Sequence, residues 1–268
     1  MVVARASADV PIGDDVSHVE ADLNSLESTR SAAAEIRGRL GRELPPLRCF
    51  AGNAGVQHTD DLTAGPEGFE STFMVNVLSN HVFVRALEDR ITTGGRIVIT
   101  ASDVHFGDLR HNLGIVPAPV WKSPDVLARP RAFAAPETTA AGRTAYATSK
   151  LAVIHLVHEY ARRLPAGVDV VAFNPAFVPG TDLARNAGAL SRFAMRHVLP
   201  LLTRTPFATR PDDAGRHLAD VVLGTRRAPT GSYVDRGHVA RSSTESYDPA
   251  REHELWEAVE RLTTGAPE

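Results

Sequence analysis

The segment AGRTAYATSK, Ala141 to Lys150, sets a phenol and an ammonium four residues apart. On a helix such a pair shares one face. A free phenol keeps its proton up to a pH of about 10, too tightly for easy exchange at neutral pH. A nearby ammonium favours the phenolate and brings that value down. Tyr146 and Lys150 could therefore work together as a tuned acid or base. The spacing also arises by chance on many helices, so its surroundings have to decide. Ser102 ends the apolar run GGRIVITAS, and its hydroxyl would sit at the carboxyl end of a strand. Asn53, Ala54 and Gly55 follow LRCFA, where Gly52 and Gly55 let a ligand approach the backbone closely. The stretch FNPAFVPGT follows VDVVAF and can lead into a helix whose N-terminus suits an anion. Asn76 is polar within the apolar FMVNVL; a core amide satisfied by backbone groups and a functional amide both account for it.

These residues need a frame. VSHVEADL, Leu47 to Ala51, GGRIVITAS, VDVVAF and GSYV read as short strands, several rich in β-branched residues. Between them run amphipathic stretches: Asn24 or Ser25 to about Leu40, Pro66 to Asp89, Thr144 to Leu164, Pro211 to Leu223, and Glu252 to Leu262. Strands apolar on both faces that alternate with helices predict a doubly wound parallel α/β sheet, with helices on both faces. Ligands of such sheets bind at the carboxyl ends of the strands, where Asp22, Asn53 to Gly55, Ser102 and Asn174 to Thr181 fall. One domain over residues 1–268 is expected. An irregular, proline-rich insertion at about 105–139 interrupts the alternation, and about 181–268 forms a C-terminal substrate-side segment. Phe106, Trp121 and Phe177 could line an apolar pocket there or simply pack.

Composition narrows the function classes. The 268 residues are 43% hydrophobic and 23% charged, with a net charge of −3. No basic excess points to nucleic acid or an anionic membrane surface, and no apolar run approaches a membrane span. The single cysteine, Cys49, fits a reducing cytosol. His105, His111, His155 and His158 come with no carboxylate or cysteine that completes a metal site. No metal is expected.

Together these residues resemble the short-chain dehydrogenase/reductase family. NAGV at Asn53 to Val56 is similar to the motif after that family's fourth strand. Asp22 and Leu23 resemble the pair beside the adenine ring. Asn76, Ser102, Tyr146 and Lys150 follow the order of the catalytic tetrad. NPAFVPGT, with Pro175, Val178 and Thr181, resembles the segment beside the nicotinamide, with Ala176 where glycine is common. The insertion, GFESTFMVNVLSNHVFV and the closing LWEAVERL resemble retinol-dehydrogenase-like and protochlorophyllide-reductase-like members. The resemblance implies a Rossmann-like fold and hydride transfer between a nicotinamide and a carbonyl or alcohol carbon. Tyr146 would move the proton, and Lys150 would lower its pKa and hold the nicotinamide ribose. Ser102 would bond the substrate oxygen, and Asn76 would order a water. Arg5, after VVA, falls where a basic residue grips the 2′-phosphate of NADP, so NADP is expected, with NAD as the lesser option. A non-catalytic binding relative and a sugar epimerase or dehydratase of the extended branch are the alternatives. A homo-oligomer is compatible with all three.

One unit of this pattern has no counterpart in the sequence. A dinucleotide fold of this kind opens with a strand, a glycine-rich turn and a helix, whose backbone N–H groups meet the pyrophosphate. MVVARAS instead resembles the end of the family's second strand. The first strand and helix would then precede Met1. The expectation is a sheet without its middle strand, or with another segment in that slot, and weak binding of the cofactor.

Overall fold

The computed structural model describes residues 1–5, 16–112, 114–179 and 208–265. Strands β1 (Val2–Ala4) and β2 (His18–Glu20) form a parallel pair of their own. Strands β3 (Leu47–Gly52), β4 (Ile91–Thr100), β5 (Asp169–Asn174), β6 (Tyr233–Asp235) and β7 (His238–Ala240) form a second sheet in that spatial order. Its first four strands are parallel and β7 is antiparallel. Among the described residues no strand joins β1 and β2 to β3. β3 is thus an edge, and most of it is half-buried or exposed, whereas Ile97 to Ile99 and Val170 to Phe173 are closed off.

Alternation along β4 and β5 sends side chains to two cores. Ile97, Ile99, Val170 and Ala172 face the larger one. It is built with helices α1 (Leu26–Arg39), α2 (Ser71–Phe73), α3 (Ser79–Leu87), α6 (Thr139–Arg163) and α8 (Pro249–Thr264). Val98, Val171 and Phe173 face the smaller one, against Leu218, Val221 and Val222 of α7 (Pro211–Val222). Helices on both faces of a mainly parallel sheet make the doubly wound architecture that the alternation predicts.

Two boundaries differ from the periodicity. The helix expected from Pro66 starts at Ser71, because the Glu70 carboxylate accepts from the backbone N–H of Thr72 and Phe73 and fixes the start there. α6 begins at Thr139 rather than Thr144, capped by the Thr138 hydroxyl. The insertion is partly ordered into short helical turns, Asp103–Phe106, α4 (Leu109–Asn112) and α5 (Pro124–Leu127). Within it Trp121 packs edge-on against His155, and Phe106 stacks on His111.

Candidate active site

The long α6 crosses under the carboxyl end of β4 and carries Tyr146 and Lys150 one turn apart. Both are buried, at 5% and 2% exposure. Lys150 Nζ donates to the Thr100 carbonyl oxygen at 2.7 Å, which ties α6 to the last residue of β4. It also lies 5.7 Å from the centre of the Tyr146 ring. Burial pushes the Lys150 ammonium down to about 8.

The phenol differs from the sequence expectation. Burial pushes Tyr146 well above the ordinary tyrosine value and the Asp103 charge adds to the rise, while a hydrogen bond with Ser102 pulls it back. Desolvation outweighs any help from Lys150, whose ammonium is directed at Thr100.

Ser102 stands two residues beyond β4 and caps the turn Asp103–Phe106. It is half-buried, and its carboxylate neighbour Asp103 is pushed up to about 6 by burial and by Asp235. Asn76 lies in a π-helical turn, Met74–Leu78, set between α2 and α3. Single π turns in α-helices often mark functional positions. The Asn76 amide is fully engaged: Oδ1 accepts from the Val56 N–H at 2.9 Å, and Nδ2 donates to the Val56 carbonyl at 3.1 Å and to Ser149 Oγ at 2.9 Å. The core-amide explanation therefore holds for its contacts. The site is nonetheless close, because a Cβ on Gly55 would lie 3.4 Å from Asn76 Oδ1 and 3.5 Å from Lys150 Nζ. Gly55 thus lies against both the amide and the ammonium.

The other expected positions lie around this centre. Asn53 and Ala54 are exposed just past β3, with Asn53 Oδ1 accepting from the Thr100 hydroxyl at 3.0 Å. Asp22 is exposed and its Oδ1 accepts from the Asn24 N–H, while Leu23 packs against the larger core. Arg5 is exposed one residue past β1. Pro175 and Val178 are half-buried beyond β5. Ala176 between them has φ of 63°, the left-handed region that favours glycine. Thr181 lies outside the described residues. The structure brings Asn76, Ser102, Tyr146, Lys150 and Gly55 together, and sets Arg5, Asp22 and Leu23 on the separate β1–β2 side.

Thr100 and Ser149 complete the site without having been singled out in the sequence. Ser149 Oγ donates to the Tyr146 carbonyl at 2.8 Å and so links the Asn76 clamp to the helix that carries the phenol. Its position beside Lys150 was the available signal. Two of the histidines have carboxylate partners: His111 faces Asp108 at 2.7 Å and His158 faces Glu252 at 2.7 Å.

The chain is similar to short-chain dehydrogenases and retinol dehydrogenases. No family model matches it. It is 28% identical to human retinol dehydrogenase 13, with 91% of this chain and 69% of that protein covered. It is 25% identical to the short-chain dehydrogenase iccH of Talaromyces variabilis, over 88% of this chain and 76% of the relative. A short-chain dehydrogenase from Burkholderia cenocepacia solved in complex with NADP superposes with a TM-score of 0.55 at 24% identity, covering 81% of this chain and 74% of that one. That likeness shows the fold.

Proposed function

We propose that the chain is an NADP-preferring oxidoreductase acting on a carbonyl or alcohol, with Tyr146, Lys150, Ser102 and Asn76 as its working groups. The observation that carries this reading is the meeting of a buried phenol, a buried ammonium and a strand-end hydroxyl, with Gly55 close to Asn76 and Lys150. The NADP bound by the Burkholderia relative supports the cofactor assignment.

The residues fit the nicotinamide-ribose half of such a cofactor: Lys150 and Tyr146 would hold the ribose, with Asn53 to Gly55, Pro175 and Val178 around it. Arg5, Asp22 and Leu23 suit the adenosine half. Between the halves, no glycine-rich turn at a helix N-terminus is found among the described residues. When bound, the nicotinamide supplies or accepts the hydride.

The chain's own groups handle the proton. Ser102 donates a hydrogen bond to the substrate oxygen and holds it beside the Tyr146 hydroxyl. That hydroxyl gives its proton as negative charge develops on the oxygen, or takes it in the reverse direction. Low exposure at Tyr146 keeps bulk water from competing for the proton. Lys150, 5.7 Å from the centre of the Tyr146 ring, lends positive charge to the phenolate that results, and its bond to Thr100 fixes it there.

A non-catalytic binding role is the second reading, and the unjoined β1–β2 pair favours it. Calorimetric titration with NADPH, followed by cofactor oxidation against a panel of aldehydes and ketones, separates the two. Binding with carbonyl-dependent turnover supports the enzyme; binding with no turnover across the panel supports the alternative. Cys49 leads us to place the protein in the cytoplasm.

A further inference from the structure

We infer that His105 is a positioning residue that holds Ser102 in register by tethering its turn to Ser243 in the C-terminal segment; this rests on the role proposed for Ser102. The ring is 1% exposed. Its Nδ1 is 2.5 Å from the Ser102 carbonyl oxygen, and its Nε2 is 3.1 Å from the Ser243 backbone nitrogen. A backbone N–H can only donate, so Ser243 gives its hydrogen to a bare Nε2. The one ring proton then sits on Nδ1 and is accepted by the Ser102 carbonyl. Both nitrogens are committed, and the ring acts as a rigid neutral strut. It is wedged between Phe106, at 4.1 Å between centroids, and Tyr233, at 5.0 Å.

The far anchor is stiff. Ser246 Oγ donates to the Ser243 carbonyl at 2.7 Å, and the hydroxyls of Ser242 and Ser246 bond at 2.6 Å. The turn Thr244–Ser246 rests against α6, the helix of Tyr146. A closed circuit therefore runs from Ser102 through His105 and Ser243 to α6 and back to the phenol. It fixes the distance between the two groups that must share one substrate oxygen. Burial pushes the imidazole down to about 4, with His111 adding to the fall and Asp108 opposing it, so the ring stays neutral at neutral pH.

Nitrogen-15 NMR of the ring in the full chain reads the tether without cofactor. The expected result is the neutral tautomer protonated on Nδ1, with no titration between about pH 5.5 and 8. The Nε2-protonated tautomer, or titration near the ordinary histidine value of about 6.5, overturns it. Kinetics give the second readout. His105→Phe keeps the ring contacts and removes both bonds; kcat should fall roughly ten- to a hundredfold through misplacement of Ser102, with the KM for NADPH unchanged. His105→Asn, which keeps a donor for the Ser102 carbonyl, should recover part of that loss. A folded His105→Phe protein with full kcat, or a loss confined to KM, refutes the tether. Ser102→Ala is measured in parallel. Full kcat there would reject the role of Ser102 itself and leave the tether to be judged by the NMR. With Ser102→Ala impaired, adding His105→Phe should cost little more, because both changes act on one contact.

Discussion

Replacing Lys150 by methionine should remove a pH dependence from the folding stability. The ammonium is 2% exposed, and burial brings its pKa from 10.5 to about 8. Between those two values the unfolded chain holds a proton that the folded chain has released, so raising the pH favours the folded state. The penalty is complete below the folded value and is relieved as pH rises through it. Integrated from about pH 7 to about pH 9.5, one group with these two pKa values adds about 2 kcal/mol to the unfolding free energy. Methionine fills similar volume and does not titrate. Urea unfolding of wild type and Lys150→Met across that range should show curves whose separation changes by this amount in favour of wild type at high pH. Tyr146, Tyr160 and Tyr233 all have raised pKa values and drop out of the difference over this range. Parallel curves would refute the premise that Lys150 is held desolvated in the folded chain.

Arg5→Asp should weaken NADPH binding and spare NADH, because the guanidinium past β1 is assigned to the 2′-phosphate; equal loss of both in calorimetry would make Arg5 merely structural. Ala176→Gly should raise stability by about 0.5–1 kcal/mol, since the left-handed backbone there strains any side chain; an unchanged or lower melting temperature would remove that strain from the account.

Legibility in the sequence followed the range of the forces involved. β4 and β5 were readable because both of their faces are buried, which leaves a continuous apolar run. The proximity of Tyr146 and Lys150 was readable because helical spacing puts them on one face, and Ser102 follows the end of β4. What long-range contacts decide was not readable. The phenol rises because of burial by distant elements, which a local lysine spacing cannot report. The Asn76 clamp on Val56 and Ser149 joins three segments, and the amide's full engagement follows from none of them alone. β7 was missed because its three residues are exposed and carry no apolar alternation. His105 has no role legible in the sequence, which does not reveal that Ser243, 138 residues away, takes its second nitrogen.

The most direct measurement is carbonyl-dependent oxidation of NADPH by wild type and Tyr146→Phe at saturating cofactor. The account predicts turnover in the wild type and a loss of about a hundredfold or more in the variant, the usual weight of a positioned proton donor, with NADPH binding near normal. Turnover in Tyr146→Phe equal to wild type would contradict it.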